Sequence, residues 1–251
     1  MALEMYVHPV PDTSATGMPP RPAGRGRRAL VLVLLVGVVL ALVGALVNVV
    51  MVGRLERIDG AFAGLSERPA GSPGRTFLMV GTRPGVAGPD VPWLEGEQSV
   101  ESVMLVEVAA DGLSARVDTL PARSGVDARA TSGRPSDTVA AVESWTGRRV
   151  DHLVAIDWTT FSRLAEHDGV DAAYDYGSGP AAQHAFLGRV LEGALHQELR
   201  KRPWDLYRVL STTIDGTAVD DGWSVVEMDL LVLSLRNLRS YAITYGVAQP
   251  A

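Results

Sequence analysis

The chain has 251 residues, a formal net charge of −6 and no cysteine. Disulfides and thiol chemistry are excluded. The acidic balance gives no support for a nucleic-acid partner, which calls for a basic face.

Residues 1–28 are rich in Pro, Gly and Ala and carry no apolar period, which predicts a disordered tail. Residues 29–53 read ALVLVLLVGVVLALVGALVNVVMVG, with the Asn48 amide as the one strongly polar side chain. A helix over this run would extend about 37 Å at about 1.5 Å per residue, enough to cross the hydrocarbon core of a bilayer. A helix also satisfies its own backbone polar groups in lipid. Arg21, Arg25, Arg27 and Arg28 precede the run, whereas Arg54 and Arg57 behind it are diluted by Glu56 and Asp59. The denser positive flank stays in the cytoplasm. The sequence therefore predicts a single-pass protein of the cell membrane, with a cytoplasmic N-terminus and an extracytoplasmic main domain. A cleaved signal peptide is the competing reading. It needs an apolar core of about 7–15 residues and a small-x-small site, and residues 48–53 offer no clean one.

Residues 54–75 are expected to continue the helix briefly, over 55–65, and then to form a Pro/Gly/Ser linker, SERPAGSPG. The folded domain is expected over 76–251. FLMV, residues 77–80, ends in Gly81 and reads as a buried strand. A Gly/Pro-bearing loop follows over 81–98. Residues 102–109 and 114–120 flank Asp111-Gly112 and predict a hairpin. A helix is expected behind Pro135, stopped by Gly147, then a strand at 152–157. Asp157 or Thr159 is placed to cap the next helix, which Asp168-Gly169 ends. The longest outer helix is expected over 181–200, where Phe186, Leu187, Val190, Leu191, Ala194 and Leu195 recur at helical spacing. Further helices are expected over 204–214 and from Val225 to about Leu238, and a last strand over 241–247. This order predicts an α/β domain, with one mixed central sheet covered by helices on both faces.

No HExxH, P-loop, GxSxG or dinucleotide fingerprint is present, and the five histidines are scattered. His184 and His196, twelve apart, read as surface or boundary residues. Asp220-Asp221 reads as turn and N-cap chemistry rather than a metal pair. Trp93, Trp145, Trp158, Trp204 and Trp223 read as core, with Trp93 the most exposed of them.

Several segments, in order, resemble the LytR-CpsA-Psr family of bacterial cell-envelope proteins over residues 76–250, together with its N-terminal anchor. Phe77-Leu78-Met79-Val80-Gly81-Thr82 resembles the family's first strand and Gly-Ser/Thr-Asp loop. Glu101-Ser102-Val103-Met104-Leu105-Val106 resembles its Ser-Asp-Thr-Met-Met-Leu strand, and Thr119-Leu120-Pro121 the start of its Ser-Ile-Pro-Arg-Asp signature. VESWTGRRVDHLVAIDWTTF, residues 142–161, is the closest stretch. Gln183 to Leu187 resembles the end of an Arg-Gln-Gln segment, and Val219 to Ser224 a late turn and helix start. The resemblance implies a mixed sheet with helices on both sides and an apolar pocket for a prenyl chain. It implies a phosphotransferase that moves a glycopolymer from a polyprenyl-pyrophosphate carrier onto peptidoglycan. Arginines would grip the pyrophosphate, and carboxylates would hold Mg²⁺.

The departures fall on those groups. Arg83 replaces the loop Asp, and Glu101 replaces the strand Asp with a longer carboxylate. The Pro-Arg-Asp signature reads Pro121, Ala122, Arg123. The Arg-x-x-Arg-Gln run ahead of Gln183 reads Gly179, Pro180, Ala181, Ala182, and residues 170–183 are too short for a Tyr-Val-Arg motif. Losing one preorganised charge-stabilising donor costs about 10²–10³ in rate. The expectation is a non-catalytic accessory at the cell wall that binds a polyprenyl-phosphate lipid, a glycopolymer or an envelope protein. The alternative is an active Mg²⁺-dependent phosphotransferase. The candidate catalytic residues are Arg83, Glu101 and Arg123; the candidate ligand-binding residues are Arg83, Arg123 and Gln183; the candidate metal ligand is Glu101. Arg83, Glu101 and Arg123 form either a surface ion-pair set or a residual anion site. A structural envelope protein without a ligand is the third possibility.

Overall fold

Short apolar runs closed by glycine or Asp-Gly become the strands of a single sheet. The computed structural model is described for residues 49–50, 53–85, 88, 90–167, 174–194, 214 and 216–251. The tail, nearly all of the expected span at 29–53, and the expected helix at 204–214 apart from Ile214 lie outside the described residues. Among the described residues no helix is long and apolar enough to cross a membrane.

The strands are β1 (Glu56–Ile58), β2 (Arg75–Pro84), β3 (Gln98–Val108), β4 (Ala115–Thr119), β5 (His152–Asp157), β6 (Thr217–Asp220) and β7 (Ile243–Val247). Their spatial order is β1-β6-β5-β2-β3-β4-β7. The pairs β1/β6, β2/β5 and β4/β7 are parallel and the rest antiparallel, so the sheet is mixed. The helices are α1 (Val126–Ser132), α2 (Pro135–Thr146), α3 (Trp158–His167), α4 (Pro180–Ala194) and α5 (Val225–Ser234).

Side chains alternate across a strand, so each strand supplies both faces. On one face Leu78, Val80, Val103, Leu105 and Leu153 pack with Val126 of α1 and with Val139 and Val142 of α2. On the other, Met104, Val117 and Ile156 meet Trp158 of α3 and Phe186, Leu187 and Val190 of α4. Phe77, Val108 and Val219 meet Trp223 and Met228 on that second face. Helices thus cover both faces, as the sequence pattern predicts. Helix α2 begins with Pro135, and the Asp137 carboxylate accepts a hydrogen bond from Arg134 N at 2.9 Å. It stops at Gly147, whose φ of 66° favours glycine.

The expected linker at 54–75 is corrected. Residues 56–58 form an edge strand parallel to β6, and Ile58 and Ala61 are fully buried. Arg68 reaches Glu143 of α2 with both Nε and a terminal nitrogen, the shorter bond at 2.7 Å. Pro and Gly here set an irregular path over the core rather than a solvated tether. The expected cap is also corrected. Asp220 ends β6 with a buried carboxylate that hydrogen-bonds His152 Nδ1 at 3.1 Å and accepts from Leu153 N at 3.2 Å. Ser224 caps α5 instead, and its box with Glu227 closes in both directions. The loop tryptophan Trp93 is half-buried, and its Nε1 donates to Ala130 O of α1 at 3.0 Å. His184 is a boundary residue as expected, 2.8 Å from Thr119 Oγ1; His196 lies outside the described residues.

Strand β4 carries a fully buried carboxylate, Asp118. Its Oδ2 accepts from Arg116 Nε at 2.7 Å and from an Arg148 terminal nitrogen at 2.9 Å. Burial pushes its pKa up, but the hydrogen bonds and charges of Arg116 and Arg148 outweigh burial and hold it below the usual carboxylate range. A carboxyl whose folded pKa is depressed adds stability above its unfolded pKa of about 4, and that stability is lost as pH falls through the folded value. Asp118→Asn should therefore cost about 1.5–3 kcal/mol at neutral pH. The gap between the two proteins in urea midpoint should close as pH drops below about 4. A gap that stays constant into acid would remove the ion pairs from the account.

Candidate functional site

The register gathers one end of the sheet. Thr82 pairs with Asp157 in parallel, Arg83 with Ser99 in antiparallel, and Met104 with Thr119. The C-terminal ends of β2, β4 and β5 and the start of β3 therefore share an edge, and Arg83, Glu101 and Asp157 lie on it.

The β2/β3 ladder slips here. Gly81 pairs with Ser102 but Thr82 pairs with Val100, so Glu101 is the extra residue of a β-bulge. A bulge re-aims a side chain that alternation would send to the opposite face. Glu101 turns toward α3 and α4, and its side chain is 2% exposed. Its Oε1 accepts from the Tyr174 hydroxyl at 2.6 Å and from Gly177 N at 2.6 Å. Its Oε2 lies 3.8 Å from Arg83 Nε. Gln183 of α4 donates to the Glu101 carbonyl at 3.4 Å and to the Ser178 carbonyl at 3.1 Å.

Aromatic rings fill the space behind the carboxylate. Trp158 stacks on Tyr174 at 4.5 Å between centroids and on Phe186 at 5.1 Å. Tyr176 meets Tyr174 edge-on at 5.6 Å, and the Arg83 guanidinium lies 5.4 Å over the Tyr176 ring. Burial first, then the hydrogen bond and charge of Glu101, push the Tyr174 hydroxyl well above its ordinary pKa. Burial and the charges of Asp157 and Glu101 raise Tyr176 in the same direction. Gly81 is needed for this packing: a Cβ there would lie 1.8 Å from Trp158 Nε1.

Of the residues singled out in the sequence, Arg83, Glu101 and Gln183 come together. Arg123 stands apart, exposed in the 3₁₀ turn Ala122–Ser124 behind β4. Sequence reasoning missed Tyr174 and Gly177 as partners of Glu101, and Trp158 and Tyr176 as the rings packed on Tyr174. The available signal was the Tyr-Asp-Tyr-Gly run directly before the longest outer helix. Among the described residues no cluster of three His, Asp or Glu side chains has the geometry of a metal centre. On the far side of β2 and β5, a cleft of about 270 Å³ carries Glu56, Glu95 and Asp157 in its wall. Three carboxylates disfavour a pyrophosphate there.

The mixed α/β fold is similar to that of solved structures. A LytR-Csp2A-Psr enzyme from Actinomyces oris superposes with a TM-score of 0.52 at 18% identity, over 76% of this chain and 86% of that one. The chain has the LytR-Csp2A-Psr fold. Protein gbs0355 from Streptococcus agalactiae aligns at a TM-score of 0.49 and 13% identity, covering 69% of this chain and 76% of that one. B. subtilis TagV aligns at 0.46 and 12%, covering 72% and 84%. No protein-family profile and no curated protein sequence matches the chain. The LytR-Csp2A-Psr fold thus persists here under a sequence far from its solved examples, and the residues at its sheet edge must be judged on their own chemistry.

Proposed function

We propose that this chain is a membrane-anchored, extracytoplasmic domain of cell-wall glycopolymer assembly that acts without catalysis, as a lipid- or partner-binding accessory. The observation that carries the reading is the occupied carboxylate. Both donors on Glu101 Oε1 are internal, and Oε2 lies 3.8 Å from Arg83 Nε, so the carboxylate that would hold Mg²⁺ is held by its own neighbours. Freeing Glu101 for a metal would strip a buried carboxylate of hydrogen bonds worth about 1.5–3 kcal/mol each when a charge is involved. Arg123, the other candidate cation, stands exposed in its turn. Anchoring by residues 29–53 and the denser arginine flank ahead of them support the membrane placement and the outward-facing domain. The fold supports a place in envelope chemistry. A second reading, an active phosphotransferase, is favoured by one feature: Arg83, Glu101 and Gln183 do converge on one edge of the sheet. The two readings separate on transfer of a glycan from a polyprenyl pyrophosphate to peptidoglycan in Mg²⁺ by the full-length chain, for which no turnover is expected.

A further inference from the structure

Helix α5 reads VVEMDLLVLS and is apolar on two sides. Met228 is buried, and Val225 and Leu231 pack on the sheet. Val226, Leu230 and Leu233, at i, i+4 and i+7, point outward and are 67%, 59% and 54% exposed; Val232, 69% exposed, lies on the other side of Asp229. The stripe is flanked by the exposed carboxylates Glu227 and Asp229, so α5 is amphipathic on its outer side, and an exposed apolar stripe of this kind fits a protein partner or a membrane surface. At about 15 Å this one is too short to span a bilayer and long enough to lie in its surface layer.

The chain itself indicates the cover. The apolar run ends at Gly53, and Leu55 already packs in the same cluster as Val225 and Leu231. Arg57 donates to the Trp223 carbonyl at 2.9 Å, one residue before the cap of α5. The start of the helix is therefore fixed within a few residues of the point where the apolar segment enters the domain. Four aliphatic side chains on one short helix offer far less than the roughly 800 Å² per partner of a stable protein interface. For a surface layer held next to the helix by a tether, a small apolar face suffices.

We propose that the outward face of α5 lies in the interfacial layer of the membrane that anchors the chain. This rests on the reading of residues 29–53 as the anchor. The test uses the full-length protein in phosphatidylcholine/phosphatidylglycerol vesicles. The chain has no cysteine, so Val226→Cys, Leu230→Cys and Leu233→Cys each give a single labelling site. Arg134→Cys, at the start of α2 where the arginine side chain is 78% exposed, is the control. An environment-sensitive fluorophore at the three α5 positions is expected to shift to the blue and to lose emission to nitroxide-bearing lipids, whereas the label at 134 does neither. Labels that remain aqueous at all four positions, on protein that still floats with the vesicles, would overturn the docking and leave the anchor standing. Protein that does not float with the vesicles would overturn both. Self-quenching between copies at 230, without lipid quenching, would place a second copy on the face and overturn the proposal.

Discussion

Arg68→Ala is expected to destabilise the domain by about 3–5 kcal/mol, the cost of leaving a buried charge without its partner. The guanidinium meets Glu143 through two nitrogens at 2.7–3.2 Å, and the two side chains are 15% and 4% exposed. It also donates to the Val150 carbonyl and lies 4.8 Å over the Phe62 ring. With Arg68 gone, the partner left to the Glu143 carboxylate among the described residues is the Val150 N–H at 2.8 Å. For a domain of about 200 residues the loss corresponds to a fall in melting temperature of roughly 6–20 °C. Adding Glu143→Gln to the same protein should recover part of it, because a buried amide costs less than a buried unpaired carboxylate. A melting temperature unchanged by Arg68→Ala would return residues 66–74 to the status of a solvated linker.

Gly81→Ala is expected to cost about 1–3 kcal/mol by overpacking, and to loosen the Glu101 site with it. The added Cβ would stand 1.8 Å from Trp158 Nε1 and 2.6 Å from Ser102 Oγ. Trp158 is 1% exposed and packed between Tyr174 and Phe186, so it has no direction in which to yield without moving Tyr174. Tyr174 in turn holds Glu101. The same substitution in a Trp158→Phe background should cost much less, since the shorter ring vacates the position of Nε1. Urea midpoints of the four proteins measure the coupling. Equal costs in both backgrounds would mean that the close approach of β2 and α3 is not what fixes glycine at 81.

How far the sequence reached follows from which signals are local. The hairpin around Asp111-Gly112, helix α2 between Pro135 and Gly147, and strand β5 each carry their own punctuation, and each forms where the pattern puts it. Strands β1 and β6 do not. They are three and four residues long, and they exist because they pair with each other and with β5. Neither has room for an alternating period, and β6 runs into the Asp-Asp-Gly that reads as a turn. Helix α1, Val126–Ser132, is polar and two turns long, so nothing in its spacing separates it from a loop. At the site, Glu101 was legible as a carboxylate at a strand start. Its orientation was not, because a bulge depends on the register of two strands rather than on one of them. The same holds for Tyr174, seventy-three positions away in sequence and 2.6 Å away in space.

The account turns on a carboxylate held by its own neighbours. The most direct measurement is glycan transfer by the full-length chain in membrane nanodiscs, with Mg²⁺, a polyprenyl-pyrophosphate-linked glycan and peptidoglycan. The conditions must be those in which an active enzyme of this fold turns over. The account predicts no product above the protein-free reaction, and no difference between the unaltered chain and Glu101→Gln. Product formed by the unaltered chain and lost on Glu101→Gln or Arg123→Ala would contradict it.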